Sequence, residues 1–252
     1  MIQKLVALLV LIPTMAGLSA YDSHTKETGK RTVEIQAGAD TIKHADGTIL
    51  LSVDYKFPTI MIEGNQAATD KINTYYEGVK EQFGQTVEKL LAYARADYNS
   101  RTKEQLAYWH GYAVSMQYEK ARIDDKVISL VNHYYEFTGG AHPNSTRWAE
   151  TFATSTGEHL TLKDVVKDEA QARKDIEAYI LKLTKSPQYK DYFFEGYEVH
   201  IPELLTDNTW YFSDEGFVVI ANEYIIGPHA LGILEFTIPY SDAVFLKDAY
   251  RK

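Results

Sequence analysis

Apolar positions recur along this chain with two different periods, and the switch between them marks out its elements. From Thr48 to Phe57, Ile49, Leu51, Val53 and Tyr55 alternate with Thr48, Leu50, Ser52 and Asp54, the period of two expected of a strand, and Pro58 ends the run. After Asn65 the period lengthens. Ile72, Tyr76, Val79, Phe83, Val87, Leu90 and Ala94 stand three or four apart and share one helical face. Asn65 is placed to cap this helix. Gly78 and Gly84 lie inside it, each costing about 1 kcal/mol relative to alanine, which suggests close packing of the helix against a sheet.

Strand periodicity returns in a meander of three segments, His110 to Ile123, Lys126 to Phe137 and Thr146 to Ala153. Asp124-Asp125 supplies a two-residue turn. Counting back from it pairs Tyr118 with Val131, Met116 with His133, Val114 with Tyr135 and Tyr112 with Phe137 on a core face, so His133 is expected to be buried. The opposite face, pairing Gln117 with Asn132 and Glu119 with Leu130, is expected to be wetter. A second helix is predicted from about Glu169 to Leu183, buried through Ile176, Ile180 and Leu183. Strands Trp210 to Ser213 and Phe217 to Asn222 follow, then Ile233 to Ile238, then a short terminal helix capped by Ser241-Asp242 and carrying Val244, Phe245 and Leu246. The pattern specifies an α+β fold: an antiparallel meander sheet packed on one long helix, with a second, smaller β region and helix.

The N-terminal residues follow a different logic. Met1 to Lys4, the apolar run Leu5 to Ile12, Pro13 and the small residues before Ala20 have the order of a secretory signal peptide over residues 1–20, with cleavage expected after Ala20 or Ala16. The run is too short to be an obvious span, which needs roughly 20 residues, so no stable membrane insertion is expected after cleavage. Residues 21–46 read as a polar leader holding one edge strand, Thr32 to Gln36. The module itself divides into an N-terminal half, 47–155, and a C-terminal half, 156–252.

Composition narrows the chemistry. The chain has no cysteine, which removes disulfides, thiolate nucleophiles and Cys-ligated zinc, and rules out a lipidated N-terminal Cys. Its formal net charge is −9, and loss of Lys4 with the signal makes it −10, which disfavours nucleic acid and suits a cationic partner. The nineteen tyrosines offer wide apolar area with a hydrogen-bonding tip. Most alternate inward; Tyr75, Tyr108 and Tyr197 are candidates for exposure.

Three segments carry a resemblance. Tyr135-Glu136-Phe137-Thr138-Gly139-Gly140-Ala141-His142, then Thr156 to Asp164, then Phe217 to Ile220 with Glu223-Tyr224-Ile225-Ile226-Gly227-Pro228-His229-Ala230-Leu231-Gly232, resemble the RsiV/PdaC-like family from about Ile49 to Leu246. This domain of unknown function forms the extracellular part of the anti-sigma factor RsiV and precedes the catalytic domain of the peptidoglycan deacetylase PdaC. The resemblance implies an α+β module in two halves acting as one unit, not a catalyst; in RsiV the module receives lysozyme. The sequence lacks the cytoplasmic anti-sigma domain of RsiV and the deacetylase domain of PdaC, so neither signalling nor deacetylation carries over.

Candidate site residues are few. Gly139 and Gly140 permit a loop that presents His142 and Asn144 to a ligand, or simply a turn in which His142 bonds to nearby backbone. His229 beside Gly227-Pro228 is similar, and a His142–His229 metal pair lacks a third ligand at characteristic spacing. His133 reads as a buried structural histidine. No Gly-x-Ser-x-Gly turn, catalytic carboxylate pair or phosphate loop is present. These residues point to no cofactor, no metal and no enzyme, but to an exported cell-envelope binding module for a cationic protein such as lysozyme or for a peptidoglycan-related glycan. The alternative is a hydrolase acting on envelope polymers without a standard motif.

Overall fold

A computed structural model describes residues 29–189 and 192–252; the expected signal peptide lies outside them. Eight strands form two sheets among the described residues. The first, in the order β1-β2-β3-β4-β5, comprises β1 (Arg31–Lys43), β2 (Ile49–Ile62), β3 (Tyr112–Ile123), β4 (Val127–Phe137) and β5 (Asn144–Ala153). The expected edge strand is therefore much longer than Thr32 to Gln36, and hairpins antiparallel to β2 along nearly its whole length. The meander β3-β4-β5 is antiparallel as its pattern predicts. β2 and β3 run parallel, because the long helix α1 (Gln66–Ser100) carries the chain back across the sheet between them.

α1 begins where the pattern places it, with the Asn65 side chain accepting from the Ala68 N–H. Its stripe Ile72, Tyr76, Phe83, Val87, Leu90 and Ala94 is buried against Leu51, Val53, Phe57, Tyr118 and Leu130 of the sheet. Gly78 and Gly84 are not at that contact. Both face outward, and a Cβ at either would meet nothing within 4 Å. Each glycine thus only weakens the helix, and the double variant Gly78→Ala/Gly84→Ala is expected to gain about 1–2 kcal/mol, measured by urea denaturation; a loss would mean that the glycines serve a contact.

The second sheet, β6 (Trp210–Phe212), β7 (Gly216–Ala221) and β8 (Leu234–Pro239), is antiparallel in the order β6-β7-β8. Val218, Ile220 and Tyr211 pack on Val131 and Ala149 of the first sheet. The other side of β7, with Phe217 and Val219, packs with Ile176 and Ile180 of the second helix, α2 (Glu169–Thr184). The layers therefore run α1, first sheet, second sheet, α2. β4 lies in the middle, and Val127 to Asn132 are buried on both faces.

Two local expectations are corrected. The β3-β4 turn is Asp125-Lys126, because the Asp124 side chain accepts from the N–H groups of Lys126 (2.8 Å) and Val127 (3.0 Å) while Asp124 N–H donates to Val127 O. A bulge at Ala121 then shifts the register once more. Met116 consequently faces Tyr134, and Tyr118 faces Asn132; His133 faces Gln117 and is exposed. At the other end, residues 241–247 form turns in place of a capped helix, with Phe245 and Leu246 buried and Val244 exposed.

Candidate functional site

Two of the exposed aromatic residues, Tyr93 and Tyr108, stand where the C-terminal part of α1 meets the ends of β3 and β4. Thr86, Lys89, Leu90 and Tyr93 of α1 line a cleft of about 350 Å³ with Tyr112, Glu136 and Thr138. Tyr112 is also a wall of an adjoining pocket of about 130 Å³, which adds Arg101, Tyr108, Trp109, His110, Phe137, Gly139 and Gly140. Tyr93 is 53% exposed and Tyr108 77%. The Lys89 ammonium sits 5.7 Å from the Tyr93 ring centroid, and the Arg101 guanidinium 5.0 Å from that of Trp109. Trp109 is fixed by its ring N–H, which donates to Ile49 O at 2.8 Å, and stacks on Tyr112. Arg101 is held by Asp97 at 2.9 and 3.1 Å, and its hydrogen bonds keep the Asp97 carboxyl below the usual carboxylate range. The groove thus offers the exposed rings of Tyr93 and Tyr108 beside charged and hydrogen-bonding groups, while Trp109 and Tyr112 cover one another.

Its far end is the loop after β4, where Gly139 and Gly140 have φ of 90° and 100°, values that a side chain would strain. This turn swings His142 onto the loop after β7. The His142 and His229 rings stack at 4.1 Å with 23° between their planes. His229 Nδ1 lies 2.8 Å from the nearly buried Glu223 carboxylate, and His142 Nδ1 lies 3.0 Å from Pro143 O. Tyr224, with φ of 66°, stacks on His229 at 5.8 Å, and its hydroxyl is 3.4 Å from His142 Nε2. Asn222 anchors the base of the two loops, accepting from Arg147 N–H at 2.7 Å and donating to Arg147 O at 2.9 Å.

Two family models match the chain: "Deacetylase PdaC" over residues 45–145 and "Protein of unknown function (DUF3298)" over residues 163–241. The first region is thus similar to the PdaC model and the second to DUF3298 proteins. The fold is that of solved DUF3298 proteins. One from Bacteroides fragilis is 19% identical, covers 89% of this chain and 96% of its own, and superimposes with a TM-score of 0.65. Another from Pseudomonas aeruginosa is 17% identical, covers 89% and 98%, and has a TM-score of 0.54. No curated protein matches.

The groove belongs wholly to the PdaC-type region, and the histidine stack joins that region to the DUF3298 region. Of the residues singled out from sequence, Gly139 and Gly140 line the groove, and His142 and His229 come together across the two regions. Asn144 is exposed at the start of β5, paired with Glu136. Among the described residues no group of three or more His, Asp or Glu side chains is arranged to hold a metal ion. Tyr108 is exposed as expected and Tyr75 is 38% exposed. Tyr197 is half-buried, donating to Thr184 Oγ1 at 2.9 Å. Sequence reasoning missed Tyr93, Trp109, Arg101, Glu223 and Tyr224. The pairing of Lys89 with Tyr93 at helical spacing on a face that the apolar stripe leaves free was the one readable signal.

One polar cluster lies outside the groove. Glu150 of β5 is buried beneath α1, accepting on one carboxylate oxygen from Tyr118 (3.2 Å) and Tyr75 (3.3 Å). Its other oxygen, the Tyr76 hydroxyl and both polar atoms of the Asn132 side chain find no partner in the protein. Burial outweighs these hydrogen bonds and pushes the Glu150 carboxyl up to about 7.

Proposed function

We propose that this protein is an exported module of the bacterial cell envelope that binds an extended peptidoglycan-type glycan in the aromatic groove. The observation that carries the reading is the pair of exposed rings Tyr93 and Tyr108 in two pockets that share Tyr112 as a wall, bordered by Lys89, Glu136 and Arg101. Sugars present apolar C–H faces ringed by hydroxyls, and rigid aromatic faces with polar neighbours complement both at low entropic cost. The envelope assignment is supported by the PdaC and DUF3298 matches, and export by the order of residues 1–20.

The test is co-sedimentation of the protein with purified peptidoglycan sacculi. Tyr93→Ala/Tyr108→Ala removes exposed rings, so the fold should persist while retention falls about tenfold or more. Equal retention of variant and wild type would place binding elsewhere. The net charge of −9 favours a second reading, a cationic protein partner such as a lysozyme, in keeping with the resemblance to RsiV. Saturable binding of basic lysozyme with no retention on sacculi would support that reading against the first.

A further inference from the structure

We infer that Glu150, Tyr76 and Asn132 form a buried site under α1 that takes up water, with the Tyr75 side chain as its gate, closed over the protonated carboxyl and open over the carboxylate. The inference concerns the polar cluster beneath the helix and does not depend on the groove reading.

Register brings the three groups together. Asn132 of β4 faces Tyr118 of β3 and Trp148 of β5, and Leu130 faces Glu150. Asn132 and Glu150 are therefore diagonal neighbours on the α1 side of the sheet, about 7–8 Å apart. Tyr76 covers them from α1, its ring edge-on to those of Tyr118 at 5.2 Å and Phe152 at 5.8 Å. Glu150, Tyr76 and Asn132 are 2%, 1% and 0% exposed, yet Glu150 Oε2, the Tyr76 hydroxyl, Asn132 Oδ1 and Asn132 Nδ2 have no partner in the protein. Folded proteins answer such groups with internal water, each molecule held by about three polar atoms.

Tyr75 connects this site to solvent. It is 38% exposed, its hydroxyl donates to Glu150 Oε1 at 3.3 Å, and its ring is parallel to that of His159, with 9° between planes at 6.0 Å. The backbone of α1 is anchored separately. Asn73 exchanges two hydrogen bonds of 2.8 Å with Ile60, and Thr69 Oγ1 accepts from Ile62 N–H at 3.0 Å. The Tyr75 side chain can therefore swing outward while the helix stays in place.

Ionisation supplies the drive. The groups facing the Glu150 carboxyl are Tyr75 and Tyr76 from α1, Tyr118 from β3, Asn132 from β4 and Trp148 from β5, none of them cationic. Lys71, one turn before Tyr75, is paired with Glu158 at the surface. His159, against the Tyr75 ring, has its basicity lowered by burial. A buried carboxylate with no counter-charge is stabilised by admitting water, a demand far stronger than that of the neutral acid. Burial holds the closed carboxyl at about 7, and hydration returns it toward its ordinary value, so rising pH shifts the population from closed to open.

Aromatic carbon NMR of the protein, with a neutral gadolinium chelate to relax exposed rings, tests the gate at about pH 5.5 and about pH 8.5. Relaxation of the Tyr75 ring, assigned by its loss in Tyr75→Phe, should rise about twofold or more across that range, with the same midpoint as the Glu150 carboxyl carbon. Glu150→Gln keeps the shape and neutrality of the protonated acid and leaves His159 in place, so it should hold Tyr75 closed at both pH values. A wild-type Tyr75 ring equally accessible at both would overturn the inference. So would a response that persists in Glu150→Gln, which would make His159 the driver. A Glu150 carboxyl carbon titrating near 4.5 would overturn it in the wild type alone, with no variant needed.

Discussion

Replacing Arg122 with alanine is expected to cost about 3–5 kcal/mol, since it empties a buried guanidinium site and strips its hydrogen bonds from a half-buried carboxylate, a hydroxyl and a carbonyl. Arg122 is 3% exposed on β3, yet it serves residues far along the chain. Its guanidinium donates to Asp124 Oδ2 at 2.5 Å, to the Tyr240 hydroxyl at 2.8 Å and to Tyr250 O at 2.7 Å. Its plane lies 5.3 Å from the ring centroids of both Phe212 and Tyr240. One side chain thus ties the meander to the second sheet and to the C-terminal residues. Burial works to raise the Asp124 carboxyl, but the N–H groups of Val127 and Lys126, together with Arg122, hold it below the usual range. Lysine cannot replace the fork, having a single nitrogen for three diverging acceptors. Arg122→Lys should therefore recover less than half of the loss. Thermal melts read the effect directly, since about 2–4 °C accompanies each kcal/mol in a chain of this size. A melting temperature for Arg122→Ala within about 2 °C of wild type would show that the link between the halves does not depend on this residue.

The second large effect is the share of the pH dependence of stability that Glu150 contributes, which Glu150→Gln should remove. The carboxyl of Glu150 is raised by burial from 4.5 to about 7. A folded-state value above the unfolded one means that the native protein holds a proton that the unfolded chain has released. The stability contributed by Glu150 is therefore fully present below about 4.5 and is lost as pH rises through about 7. At about 1.4 kcal/mol per pH unit, that interval amounts to roughly 3 kcal/mol. His159 works in the opposite sense: burial lowers its basicity, so its contribution fades as pH falls. The raw profile of the wild type mixes the two, and the difference between wild type and Glu150→Gln isolates the carboxyl. Urea denaturation at about pH 5 and about pH 8 should show the variant gaining most of that 3 kcal/mol relative to wild type at the higher pH. An unchanged gap would mean that Glu150 titrates as an ordinary surface carboxylate. The groups facing it are Tyr75 and Tyr76 of α1 and Tyr118 of β3, whose hydroxyls burial and the Glu150 charge keep protonated far above neutrality. The charge that forms above pH 7 has no cation in this cluster to answer it.

The candidate site was legible only in part. The glycines at 139 and 140 announced a turn because few other residues tolerate positive φ, and the structure uses them at φ of 90° and 100°. His142 and His229 could be named from sequence only as a conceivable metal pair without a third ligand; that they meet as stacked rings was not readable, since 87 residues separate them and neither sits in a pattern with a period. Tyr93 and Trp109 were hidden for another reason. An aromatic residue on the solvent side of a helix and one in a connector look alike in sequence whether they are scattered or near one site, and only the return of the chain through Gly111 into β3 brings Tyr112 between their two pockets.

The sequence by itself determined the elements. Binary periodicity placed α1, α2 and the later strands near their observed limits, because each must bury one face, and the period of apolar positions records which face; β1 and β2 run on past Gln36 and through Pro58 because they pair with each other along their length. It also determined the α+β class and the antiparallel meander. Tertiary structure decided what each face meets. The side of β4 that alternation assigns to water, with Leu130 and Asn132, is buried beneath α1, and the second sheet covers the other side, so Val127, Ser129 and Val131 are as buried as Ile128 and Leu130. A bulge at Ala121, one residue long, turned His133 out of the core, because side chains alternate along a strand and an added residue inverts every pairing beyond it. The short terminal helix failed to form because Phe245 and Leu246 gain more by packing into the second core, where Lys167 N–H donates to Phe245 O and Lys247 N–H to Val165 O, than an isolated turn of helix could return. Local pattern fixes which residues seek burial; the pairing of two sheets, contributed by distant parts of the chain, fixes where they find it.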